Sequence, residues 1–351
     1  MRGGRRLERY IRSVSLKPGR AGAKSRANRV RRLAYRAYGL TIFCDLEIPE
    51  LPPLRDLRSP GREHVNLHLI GPRREIEEPA QWLNQSFDPD GTPWLYSAKI
   101  EGGYLLRFPG MADFTLDRAG HEVICAHAAD GASETTLRHL AIDHVMPRVL
   151  NVLGIESLHA TAVETANGAC AFIGDAGAGK STLAASFHLS GMHAFCDDCL
   201  VIRDEGGRIV ATPAYPGVRL WKDSMEALLA FDEQGLPVAH YTSKSRMLSR
   251  TAAFRADSLP LTRIYFLQRS TDRNGAVAAP SVTRISAAEA FPLLVGASFP
   301  LDLTDAAMLT RHFKLIVRIA ATVQMRRLII PNDFAALPSV REAVIADAEV
   351  Q

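Results

Sequence analysis

The stretch Gly174–Thr182 reads GDAGAGKST, and the rest of the chain is best read outward from it. It fits G-x-x-x-x-G-K-[ST] without a mismatch, with Gly174, Gly179, Lys180 and Ser181 at the fixed positions. AFIG before it is strand-like and STLAASF after it is helical in character. That is the context the motif needs. Its glycines let successive backbone N–H groups turn inward as an anion nest, and the following helix adds the positive end of its dipole. The pattern predicts that Gly174, Asp175, Ala176, Gly177, Ala178, Gly179, Lys180, Ser181 and Thr182 wrap a nucleotide's phosphates. Lys180 would reach the β- and γ-phosphates, and the Ser181 hydroxyl would ligate Mg2+.

Just downstream lies FCDDCL, Phe195–Leu200. Cys196 and Cys199 are spaced C-x2-C, but no second cysteine or histidine pair stands nearby, and a thiolate zinc site needs about four ligands. A redox pair would open a helix, whereas this one sits in an apolar strand pattern. The aspartates between them are the better candidates: two carboxylates on the strand after the phosphate-loop helix, one accepting a proton and one on Mg2+. Side chains alternate across a strand, so Asp197 and Asp198 share a direction only if the strand has already ended. Ser181 with Asp198 is taken as the metal side, although spacing does not order the two acids. Upstream, Asn167-Gly168 between two apolar runs signals a hairpin that returns LHATAVET beside ACAFIGD and brings His159 toward the phosphates. A lone histidine on a strand is more often structural. No N/T-K-x-D guanine motif follows, and LSGM comes too early for a transporter-type signature.

Composition sets wider limits. The 351 residues are 47% hydrophobic and 23% charged, ordinary for a soluble globular protein. The most apolar run, LIVRIAATV, carries Arg318 at its middle, and the N-terminal segment has no signal-type apolar core. Five scattered cysteines argue for a reducing cytoplasm. The net charge of +4 is set by residues 1–36, which hold 13 Lys/Arg against one acid, Glu8. Such an arm is either a solvated tail or a contact for nucleic acid, anionic lipid or an acidic peptide.

The expected organisation is therefore α/β. Residues 1–36 form the basic arm, with a helix near Arg29–Ala37. Residues 37–130 form a small β-rich N-terminal domain of short strands such as VNLHLIG, WLYSAKI and EVICAHA. Residues 131–351 form the phosphate-loop domain. It opens with a helix over Glu134–Leu153 that Pro147 should kink. Residues 232–258 read as a polar loop carrying KSRMLSR, LTRIYFLQR as a buried strand, and the end as a helix over Asp305–Thr322, a strand and a short helix.

The string LHATAVETANGACAFIGDAGAGKSTLAASFHLSGMHAFCDDCLVI resembles the catalytic core of the HPr serine kinase family. There a His-bearing strand leads through a hairpin to the phosphate loop, and a short helix leads to a strand with paired aspartates. The resemblance implies a P-loop kinase core of the HPr kinase/PEP carboxykinase-like type. It implies ATP and Mg2+ as cofactors, with His159, Asp197 and Asp198 matching the catalytic His and Asp pair and Lys180 on the phosphates. The onward run PAYPGVRLW, an acidic helix and a KSR loop are more similar to shorter homologues, including those beside lasso peptide pathways. In these the kinase phosphorylates a serine of the precursor. The family's later glutamate signature has no clear counterpart; Tyr215–Arg219 stands about there instead, which puts in doubt HPr as substrate and also the reverse phosphorolysis. Arg219, Lys244 and Arg246 are candidates to steady phosphate or an acidic substrate terminus, or else surface charges on loops. The expectation is a cytoplasmic serine kinase of a peptide or protein, with oligomeric state open. Its rivals are a small-metabolite kinase on the same core, and a nucleotide-gated regulatory module whose arm grips nucleic acid or membrane.

Overall fold

In the computed structural model, which describes residues 32–54, 63–71, 76–88, 90–228, 236–239, 241–247, 256–270 and 279–350, eight strands precede the first described helix. They are β1 (Leu33–Ala37), β2 (Leu40–Cys44), β3 (His64–His68), β4 (Asn84–Phe87), β5 (Pro93–Ile100), β6 (Gly103–Phe108), β7 (Ala112–Asp117) and β8 (Glu122–Ala128). They form one sheet in the order β1-β2-β3-β8-β7-β6-β5-β4. The helix expected near Arg29–Ala37 is instead strand β1 from Leu33. Tyr38 and Gly39, both with positive φ (57° and 72°), turn it tightly back onto β2. Residues 1–31 of the basic arm lie outside the described residues.

The chain then turns helical over Glu134–His139, Leu140–Val145 and Met146–Val152, and the middle segment is a π-helix. Pro147 is the reason. It has no N–H to give, and the chain absorbs it as a wider turn in which the Met146 N–H reaches the Ala141 carbonyl. Pro147 cannot serve the Ile142 carbonyl in the same register. The buried Tyr38 hydroxyl donates to that carbonyl instead. Leu140, Ile142, Val145 and Val149 pack into one core with Leu106, Phe108 and Phe114 of the first sheet and Tyr215 from further on. The helical stretch is thus part of the core of the N-terminal sheet, and Tyr215 ties that core to the second half of the chain.

The remaining strands are β9 (Glu156–Leu158), β10 (Thr161–Thr165), β11 (Gly168–Ile173), β12 (Ala194–Cys196), β13 (Leu200–Glu205), β14 (Arg208–Pro213), β15 (Val218–Leu220), β16 (Leu236–Ala239), β17 (Thr242–Met247), β18 (Leu259–Arg269), β19 (Ser281–Arg284) and β20 (Gln324–Ile330). β11, the strand before the phosphate loop, lies between antiparallel β10 and parallel β18, and β18 runs parallel to β20. All six residues of β11 are buried. Ala169, Ala171 and Ile173 share a core with Leu294, Ile316 and Ile319 from helices Ala287–Gly296 and Ala306–Thr322. Cys170 and Phe172 share the opposite one with Leu183 and Phe187 from helix Lys180–Leu189 and Val340 and Val344 from helix Leu337–Glu349. The sheet is covered on both faces, which is why β11 reads as a continuous apolar run. The protein is a mixed α/β fold with several sheets. Among the described residues no helix is long and apolar enough to cross a membrane.

Three further expectations change. LHATAVET is two strands broken at His159-Ala160, with β9 on β13 and β10 on β11 and β12. FCDDCL is not one strand: β12 ends at Cys196 and β13 starts at Leu200. The polar loop expected over 232–258 contains β16 and β17, which join β15 in a three-stranded sheet ordered β15-β17-β16. Its polarity misleads because Arg246 points inward to acids rather than out to water.

Candidate active site

Gly179 caps helix Lys180–Leu189 with φ +100°. A Cβ there would also meet Arg269 Nη2 at 3.2 Å and Ile330 Cδ1 at 3.4 Å, so the loop needs glycine for both conformation and space. The buried Lys180 lies across the loop and donates from Nζ to the Gly174 carbonyl at 2.7 Å and the Asp175 carbonyl at 3.3 Å. Burial lowers its pKa while Asp198 and Asp197 pull it back up, which sets the ammonium between loop and acids. Thr182 is engaged with Ser224, Oγ1 to Oγ at 3.0 Å.

Where β12 ends, Asp197 and Asp198 form a tight bend closed by the Cys199 N–H on the Asp197 carbonyl at 2.8 Å. Asp198 has φ +58°, a left-handed conformation uncommon outside glycine. The bend answers the alternation problem, because with the strand ended both acids can face one site. Asp197 is the inner one, its side chain 3% exposed against 19% for Asp198. Its Oδ1 accepts from Ser181 Oγ at 2.8 Å and Thr161 Oγ1 at 2.7 Å, and its Oδ2 from the Arg219 N–H at 2.9 Å. The expected metal-side pairing is thereby exchanged: Asp197, not Asp198, stands beside Ser181. Burial and the neighbouring Asp198 raise the Asp197 carboxyl. Burial also works to raise Asp198, but Arg219, then His159, Lys244 and Lys180 hold it well below the usual carboxylate range.

Arg219 is a buried hub. Its Nη2 pairs with Asp198, its Nε lies 3.9 Å from Asp197 Oδ2, and its Nη1 lies 2.8 Å from Asp143 Oδ2. Asp143, on the π-helical segment, also takes Arg246 Nη2 at 3.3 Å, the His139 ring and the Tyr215 hydroxyl. Arg246 Nη1 reaches Glu50 Oε1 at 3.4 Å, beyond the strands of the first hairpin. Arg219 and Arg246 are therefore not surface charges on loops. Arg219 holds the two aspartates, while Arg246 sits one carboxylate further back. Lys244 lies 5.1 Å over the Trp221 ring, and its charge acts on both Asp198 and Lys180. His159 sits at the β9–β10 break, half-buried, its ring edge-on to Phe299 at 5.9 Å. Burial lowers its pKa against the pull of Asp198, so the imidazole is neutral near pH 7.

Sequence reasoning missed Asp143, Thr161, Tyr215 and Glu50. Asp143 had a signal, as the one acid in the apolar helical run LAIDHVM. Thr161 stands two residues after His159 but gave none. Cys196 and Cys199 are buried, and burial pushes the Cys199 thiol up to about 12 and Cys196 well above its usual value, so both stay protonated. The hydroxyl of Ser181 and the carboxylates of Asp197 and Asp198 are hard oxygen donors beside the glycine-rich loop. That set suits Mg2+, which takes one or two protein ligands together with phosphate oxygens and water. Among the described residues no three His, Cys, Asp or Glu side chains form a closed metal cage. A cleft of about 270 Å³ adjoins the loop at Gly179 and Thr182. A larger one of about 520 Å³, bordered by Lys99, Tyr104, Arg118 and Arg311, includes none of the loop residues.

No family model matches this chain, and no curated protein matches it in sequence. Among solved structures, the HPr(Ser) kinase/phosphatase from Coxiella burnetii is similar to it over 54% of this chain and 95% of that one, at 11% identity and a TM-score of 0.30. A likeness at that level carries no weight for activity, which the site's own residues must support.

Proposed function

We propose that the protein is an ATP- and Mg2+-dependent kinase that phosphorylates a serine hydroxyl of a peptide or protein. The observation that carries this is the hydrogen bond from Ser181 Oγ to Asp197 Oδ1 at 2.8 Å, which ties the phosphate loop to a carboxylate pair. Phosphoryl transfer asks for that combination of anion nest, metal ligands and a hydroxyl-orienting acid.

Backbone amides of the Gly174–Ser181 loop and the Lys180 ammonium would bind the β- and γ-phosphates. Ser181 and Asp197 would hold Mg2+, which when bound neutralises charge on the phosphate oxygens. Asp198, the more exposed acid, accepts the hydrogen bond of the incoming serine hydroxyl. As the serine oxygen bonds to the γ-phosphorus, the bond to the β–γ bridging oxygen breaks and the proton passes to Asp198. A carboxylate held low by Arg219 is a weak base. In a loose transition state its main task is to aim the nucleophile, so positioning carries most of the rate. Arg219 keeps both acids in place, and neutral His159 beside Asp198 leaves its charge available to the hydroxyl.

The acceptor class rests on the sequence likeness to shorter kinase homologues: a serine of a ribosomal precursor peptide of lasso type. The test is mass spectrometry of serine peptides, such a precursor among them, after incubation with ATP and Mg2+. The expected result is a gain of one phosphoryl group on serine, lost with Asp198→Asn. Phosphorylation of small metabolites with every peptide left unmodified would sink the peptide assignment. Undiminished transfer by Asp198→Asn would sink the mechanism.

A further inference from the structure

Arg148, half-buried on helix Met146–Val152, is a guanidinium without an acid among the described residues. Its Nη1 donates to the His144 carbonyl at 2.7 Å. Nε and Nη2, the edge that grips a carboxylate side-on, have no partner among the described residues. Arg219 and Arg246, by contrast, each hold carboxylates. The Arg148 guanidinium lies over the Phe299 ring at 5.6 Å, and the same ring meets His159 edge-on at 5.9 Å. Chain pairing keeps Phe299 there. The His159 N–H donates to the Ala297 carbonyl at 2.5 Å, and Leu158 pairs with Ser298 as an antiparallel bridge. Arg148 thus stands one aromatic ring away from His159, whose charge bears on Asp198.

Nothing neutralises this cation. Desolvation pushes Arg148 down to about 10, and the group that counters it is Cys199, next in the chain to Asp198. The Cys199 thiol is itself pushed up to about 12, so at pH 7 the thiol is neutral and Arg148 is charged. A cation partly withdrawn from water is costly until an anion joins it. The phosphate side has cations of its own, Lys180 in the loop and Lys244, whose charge acts on Lys180. The missing anion therefore belongs to the acceptor. A carboxylate is the anion that a peptide carries without prior modification, and its flat shape matches the free edge of the guanidinium.

We propose that Arg148 selects acceptors with a carboxylate close to the reacting serine, by pairing its Nε and Nη2 edge with that group. The carboxylate has two sources, the end of the peptide chain or an Asp or Glu side chain beside the serine. Arg148 holds the acceptor and takes no part in the transfer itself. This rests on the reading of Asp198 as the acid that aims a serine hydroxyl, and adds which serines are presented to it.

The experiment measures initial rates of the full chain with ATP and Mg2+ on two peptide pairs. One has its serine near the C-terminus and is made as the free acid and as the amide; the other has an internal serine with Asp or Asn beside it. A charge-assisted bidentate pair is worth about tenfold or more in binding. In the unaltered protein the carboxylate member of one pair should therefore have a KM about tenfold or more lower, with turnover at saturation changing much less. The pair that shows this identifies the source. Arg148→Gln should bring both members of that pair to one KM. Arg148→Lys, which keeps the charge without the fork, should restore part of the difference. A merely structural loss would raise KM for both members alike and overturn the assignment. Equal KM values within both pairs in the unaltered protein overturn it too and leave the kinase standing; this comparison needs no variant to fold. A preference that survives Arg148→Gln also overturns it. If the unaltered protein phosphorylates no peptide, the serine kinase reading falls and the assignment of Arg148 falls with it.

Discussion

Arg219 Nη1 lies 2.8 Å from Asp143 Oδ2, and the same guanidinium grips Asp198. A carboxylate on a π-helical segment packed against the first sheet thus sets the posture of the acid at the mouth of the site. Asp143 is buried and held well below the usual carboxylate range: burial opposes its charge, but Arg219, His139 and Arg246 outweigh that. Removing one partner of such a network leaves the others uncompensated in a dry interior. Asp143→Ala should destabilise the fold by about 3–5 kcal/mol, read from the midpoint of denaturant unfolding. A loss below about 1 kcal/mol would mean that the two guanidinium groups find water or other acids.

The two aspartates should separate by their metal requirement. Asp197 accepts from Ser181, so Asp197→Asn should raise the Mg2+ concentration needed for half-maximal phosphorylation. Asp198→Asn should leave that concentration near its original value and lower turnover at saturating Mg2+ by about 100-fold. A Mg2+ titration of initial rates reads both. The opposite pattern would return the metal side to Asp198.

Acid should weaken the fold through a histidine before it reaches the carboxylates. His144 is half-buried against Trp94 and Phe108, with centroid distances of 5.0 and 6.0 Å, and desolvation there pushes its pKa well below the usual value, with His139 adding to the effect. Its folded pKa is depressed relative to the unfolded chain. The stability it contributes is therefore complete above about pH 6.5 and is lost as pH falls toward the folded value. The slope it adds is about 1.4 kcal/mol per pH unit. Urea unfolding between those limits should show this slope, and His144→Phe, which keeps the ring contacts, should reduce it by that amount. Asp143 adds its own acid lability only below about pH 4, because its carboxyl too is depressed.

Gly179→Ala should cost nucleotide binding more than it costs the fold. The left-handed φ of +100° is strained by about 1–3 kcal/mol for a residue with a Cβ. The added methyl would also press on Arg269 Nη2 and Ile330. Relief comes most easily by moving the loop, on which the proposed phosphate site rests. ATP titration should weaken about tenfold or more while the melting temperature shifts by only a few degrees.

The phosphate loop, its strand and its helix were legible because local signals agree there: an apolar run, glycines at fixed spacing, a helical repeat. The hairpin from β10 to β11 was legible for the same reason, although Thr165 pairs with Gly168 and the loop residues are Ala166 and Asn167. The burial of Arg219 and Arg246 was not legible. Charged residues are rarely buried unless paired, and the partners of Arg246, Asp143 and Glu50, are far away in sequence. The three-stranded sheet β15–β17 was lost with them, because a strand whose inward side chain is an arginine has no apolar alternation to detect. The bend at Asp197-Asp198 was legible only as a condition. Strand pairing on both sides, β12 with β10 and β13 with β9 and β14, decides where the strand stops.

The shared core around Phe108, Ile142 and Tyr215 bears on how this protein could be taken apart or recombined. A chain trimmed to begin at residue 131 would keep the whole Gly174–Thr182 loop, yet it would leave one flank of the π-helical segment facing water. It would also lose Glu50 from Arg246 and the Tyr38 hydroxyl from the Ile142 carbonyl. The amino-terminal sheet is thus not a detachable module: grafting it elsewhere, or replacing it with another, means rebuilding the network behind Arg219, Asp197 and Asp198.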